Sequence, residues 1–169
     1  MTNFDFLKSD PQFAAFSDVA ISAEKILNID VAASVLNCRR AMEFAVKWMY
    51  SVDKDLEMPY DSTLVALMST EEFSDVVGND LIFRMTYIRK RGNEAAHSGN
   101  KISLEQAKLC IENLYIFMDF VACCYSEKYN DIITPFDKTL LENPGEDGSV
   151  KQNELDFEKL IAENKALKD

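Results

Sequence analysis

Apolar side chains return every three or four residues along most of this chain, the period of helices buried on one face. Phe13, Phe16, Ala20, Ala23 and Leu27 make the first stripe. It follows Asp10 and Pro11, a helix start in which the carboxylate caps and the proline takes the first helical position, where a missing N–H costs nothing. Asp30 is placed to cap a second helix that buries Val35, Cys38, Met42, Ala45 and Met49 and runs to Tyr50. After a connector with Pro59, Asp61 is expected to cap a short helix bearing Leu64, Leu67 and Met68, and a further turn over 71–77 ends at Gly78.

From about Asp80 the period resumes with Leu81, Met85, Ile88, Gly92 and Ala95, and the small residues at its end allow another helix to come close. An SGNK turn at 98–101 precedes Ser103 and Gln106, which have the spacing of a capping box. Leu104, Ala107, Ile111, Leu114, Met118, Val121 and Tyr125 then mark the longest helix. No run alternates with period two, so the expectation is an all-α bundle of five or six helices. The bundle is expected over 1–130. NPGEDGS at 143–149 combines proline, glycine and acids, which makes 131–152 an acidic linker. Residues 153–169 read as an amphipathic helix with Phe157, Leu160, Ile161 and Leu167 on one side, too short to stand alone.

Charge narrows the choice of partner. A net charge of −11 opposes loose attraction of the whole surface to a polyanion, so any nucleic-acid contact has to be local. Arg84, Arg89, Lys90, Arg91 and Lys101 against Glu94 leave such a patch, at +4, within 84–101. Cysteines 38, 110, 123 and 124 lie in apolar helical patterns without metal-ligand spacing and read as reduced, buried thiols. No metal and no cofactor is expected. Nothing resembles an export signal or a membrane span, so the expected setting is the cytoplasm, away from membranes.

The candidate chemistry gathers in IRKRGNEAAH, residues 88–97, which holds the only histidine of the chain. At about 100° per residue, Arg89, Asn93 and His97 share one face of a continuous helix, with Arg91 about 120° from His97. A guanidinium can fork a phosphate while imidazole takes a proton from a hydroxyl, as metal-free RNA cleavage requires. The plainer reading is that His97 bonds the end of its own helix, Asn93 bonds a neighbouring carbonyl, and the cations oppose the helix dipole. On the second helix Arg39 and Arg40 either join residues 84–91 in a phosphate-facing strip or form ordinary surface charge with Glu43 and Lys47. Trp48 reads as core. The chain has no GxSxG elbow and no GxxxxGK[ST] phosphate loop.

Four segments, NFDFLKSDPQF at 3–13, RRAMEFAVKWMY at 39–50, YIRKRGNEAAH at 87–97 and NLYIFMDFVACCYS at 113–126, resemble a HEPN-like helical domain at the N-terminus of type I restriction enzyme R subunits. That resemblance implies a helical bundle within a longer polypeptide, whose downstream motor and nuclease domains cut DNA with ATP. This piece is then expected to be a non-catalytic module that contacts other domains or subunits of the restriction-modification complex, or DNA or RNA. Its binding residues would be Arg89, Arg91, Asn93, His97, Arg39 and Arg40. Active HEPN ribonucleases are similar in pairing an arginine with a histidine, often across a homodimer. By that likeness Arg91 and His97, with five residues between them, would be the catalytic pair, although Gly92 stands directly after the arginine, where a polar residue is usual.

Overall fold

The computed structural model describes residues 1–97, 101–129 and 135–142. Six α-helices run through them: α1 Ala14–Lys25, α2 Val31–Val52, α3 Leu64–Met68, α4 Glu71–Val77, α5 Asn79–Ala96 and α6 Leu104–Tyr125. There is no strand among the described residues, and the architecture is an all-α bundle. The expected helix 153–169 lies outside the described residues, as do residues 98–100 of the expected 98–101 turn.

The helix starts follow from local hydrogen bonds. Asp10 accepts the Gln12 N–H and opens a 3-10 turn, Pro11–Phe13, that leads into α1. Asp30 accepts the Ala33 N–H and caps α2. Ser103 and Gln106 form the full capping box of α6. One cap differs from expectation. Thr63, directly before the first helical residue, accepts the Ala66 N–H and caps α3, whereas Asp61 accepts the Thr63 N–H at 3.0 Å and shapes the turn before it. Gly78, at φ +84°, occupies a left-handed conformation that side chains resist, and so separates α4 from α5.

Helix α2 is the centre of the bundle, packed against α1, α5 and α6. The stripes expected on α1 and α2, Phe13 to Leu27 and Val35 to Met49, are buried throughout. A Ser34 Oγ donation to the Ala23 carbonyl at 2.7 Å ties α1 to α2. Tyr50 stacks on Phe73 and donates to the Leu67 carbonyl at 2.6 Å, which fastens α3 and α4 to the end of α2. Trp48 meets the Phe13, Phe16 and Tyr125 rings edge-on, so it belongs to the core side of α2.

Two expectations need correction. The packed chain does not stop near residue 130, because 135–142 lies on the bundle. Leu141 is buried, its carbonyl accepts from Asn28 Nδ2 at 3.1 Å, and the Asp137 N–H donates to Asn3 Oδ1 at 2.8 Å. Of the four cysteines only Cys38 and Cys110 are buried. Cys123 and Cys124 follow the buried pair Val121 and Ala122, and the helical turn carries them round to the exposed face.

Candidate functional site

The C-terminal half of α5 lies between α2 and α6, and a missing side chain determines how close α2 comes. A Cβ placed on Gly92 would lie 2.5 Å from Cδ of Arg39 and 2.8 Å from its Cβ, so only glycine lets the arginine stem rest on the α5 backbone. The Nε of Arg39 is buried there and finds no hydrogen-bond partner among the described residues. On the α6 side, Arg91 pairs with Glu94 at 3.0 Å and its guanidinium stands 5.1 Å over the Tyr87 ring. Near it, burial pushes the Cys110 thiol far above its usual value, with Arg91 working against the shift and Glu94 adding to it. Cys38 is raised too, by burial first and then by Cys110, so both thiols stay protonated. About two helical turns earlier on α5, Arg84 Nη1 donates to Oδ1 of the fully buried Asn113 at 2.9 Å.

The remaining polar residues of the patch face outward to different degrees. Arg89 and Asn93 are half-buried, and Lys90 and His97 are exposed. Arg89 and Asn93 stand four residues apart on α5, one turn along the same face. His97 is the residue at which α5 stops, with an extended backbone at φ −92° and ψ 128° and an N–H that bonds the Glu94 carbonyl at 3.2 Å.

The two arginines of α2 part company. Arg39 reaches α5, whereas Arg40 lies 5.7 Å over the Phe44 ring and lines a groove of about 270 Å³ with Asp18, Val19, Ser22 and Asn37. Glu43 and Lys47 form the expected pair at 3.4 Å. No group of three or more His, Cys, Asp or Glu side chains among the described residues is arranged to hold a metal ion.

The sequence matches the family model described as "Domain of unknown function (DUF4145)" over residues 22–138. The chain belongs to that family. The match takes in α2 to α6 and every candidate site residue, and ends inside the segment that packs past residue 130. Neither a curated protein nor a solved structure matches the chain.

Within this DUF4145 domain, one feature of the site had a partial signal in sequence and another had none. A glycine inside an otherwise regular helix costs about 1 kcal/mol relative to alanine, which marks Gly92 as a place of close approach. Its partner was not marked, because Arg39 comes from a different helix. The Arg84 to Asn113 bond had no signal, since Asn113 falls beside the apolar stripe of α6 and reads there as a polar edge.

Proposed function

We propose that this domain is a non-catalytic contact module, the N-terminal helical part of a type I restriction enzyme R subunit. Its exposed polar end of α5 meets nucleic acid or a neighbouring component of that enzyme. The observation that carries this reading is the engagement of Arg91. Its charge is answered by Glu94 at 3.0 Å and its face is covered by Tyr87, so a scissile phosphate would have to displace a carboxylate to use it. Arg89, Lys90 and His97 remain at the half-buried to exposed rim, which suits contact with a phosphate backbone or an acidic surface.

Binding of labelled RNA and duplex DNA, followed by anisotropy at two salt concentrations, tests this contact. Reversing charge with Arg89→Glu and Lys90→Glu is expected to weaken binding at least about tenfold and to lower the salt slope by about 2. If neither nucleic-acid binding nor assembly with the enzyme's other subunits changes, the domain is architectural. A second reading, a metal-independent ribonuclease with His97 as general base and Arg91 on the phosphate, is favoured by the five-residue interval between them and by the exposed imidazole. Cleavage separates it from the first.

A further inference from the structure

Four of the large apolar side chains exposed among the described residues come from one short stretch, the end of α2, the connector and the start of α3. Val52, Met58 and Val65 are 45–49% exposed and Tyr60 is fully exposed. Scattered single apolar residues on a surface are ordinary, but four within so short a segment, including a tyrosine and a methionine, have the composition of an interface core.

The segment that carries them is held in place. Leu56 is buried in the core, Asp53 accepts a hydrogen bond from Tyr125 of α6, and its carbonyl accepts the Leu56 N–H at 3.2 Å. Asp61 and Thr63 then shape the entry to α3. Exposed tyrosine on an anchored backbone loses little conformational entropy on binding, and the flexible methionine adapts its shape to an apolar partner, which favours their use as anchors.

Charge indicates what they meet. Residues 51–72 carry Asp53, Asp55, Glu57, Asp61, Glu71 and Glu72 against Lys54 alone. Such a rim repels phosphate backbones and anionic lipid. It also repels the amphipathic segment of this chain at 153–169, where three lysines stand against five carboxylates. We propose that the exposed segment bearing Val52, Met58, Tyr60 and Val65 docks a basic amphipathic segment of a partner protein, apolar side chains on the tyrosine and methionine and cations on the carboxylates of the same segment. This segment is separate from the polar end of α5 and does not depend on what binds there.

The full chain labelled with ¹³C at its methionine methyls tests the proposal, titrated with a synthetic lysine–leucine amphipathic peptide and with its glutamate–leucine counterpart. The Met58 methyl is expected to shift with the lysine peptide while those of the buried Met42, Met49 and Met85 stay still. Tyr60→Ser with Val65→Ser, both at exposed positions, is expected to weaken that binding about tenfold or more. The proposal is overturned if Met58 does not respond, if the double variant binds equally well, or if the glutamate peptide binds as tightly. Self-association of the unsubstituted chain that the double variant abolishes would overturn it in favour of a second copy as occupant.

Discussion

Gly92 holds α2 and α5 together by what it lacks. Alanine there gains about 1 kcal/mol of helix propensity but drives a methyl into the Arg39 stem, and overpacking of that kind costs about 1–3 kcal/mol. Because the contact reaches the rigid Cβ of Arg39 as well as its flexible Cδ, the clash is expected to win. Urea unfolding of Gly92→Ala should therefore show a loss of about 1–2 kcal/mol, and adding Arg39→Ala should recover part of it by removing Cδ while leaving Cβ. A Gly92→Ala protein more stable than the parent would show that the arginine does not rest there. Arg84→Met keeps the aliphatic stem but removes the bond to buried Asn113, with an expected loss of about 1–3 kcal/mol in the same measurement. At this scale the small residues near Ala95 revealed a close approach. The identity of the approaching side chain depended on a contact between distant segments, which no local pattern records.

The helices themselves were legible because burial imposes its period on the sequence. Phe13 to Leu27, Val35 to Met49 and Ala107 to Val121 are buried at the positions their spacing required. Ends were legible where the capping chemistry is complete, as at Ser103 and Gln106. Ser103→Ala is expected to cost about 1 kcal/mol of stability by thermal or urea unfolding, since it leaves the Gln106 N–H without its acceptor. An end was misread where two candidates compete, as with Asp61 and Thr63.

The N-terminal segment adds a pH-dependent tie to α1. Glu24 is buried and accepts from the Asn3 backbone N–H and from Asn3 Nδ2 at 2.8 Å, while Asn3 also binds Asp137 of the last packed segment. Burial raises the Glu24 carboxyl above its ordinary 4.5, and the Asn3 bonds only partly oppose this. The folded protein thus holds that proton more tightly than the unfolded chain. The resulting stabilisation is fully present below about pH 4.5 and is lost as pH rises through the higher folded value. Unfolding free energies of the parent minus those of Glu24→Gln should therefore fall as pH increases above 4.5, and a difference that grows with pH would contradict the assignment.

Across the whole molecule the charges are segregated. A strongly acidic chain keeps a cationic group at the end of α5 and an acidic segment with exposed apolar side chains in the connector before α3, and the two proposed contacts use these unlike regions. Neither the family match nor the all-α bundle separates a contact module from a ribonuclease. What separates them is whether Arg91 and His97 act together on a phosphate. The direct measurement is incubation of the purified chain with a labelled RNA in EDTA, beside His97→Ala. A contact module leaves the RNA intact with both proteins, whereas cleavage that is present in the parent and lost with His97→Ala would contradict it.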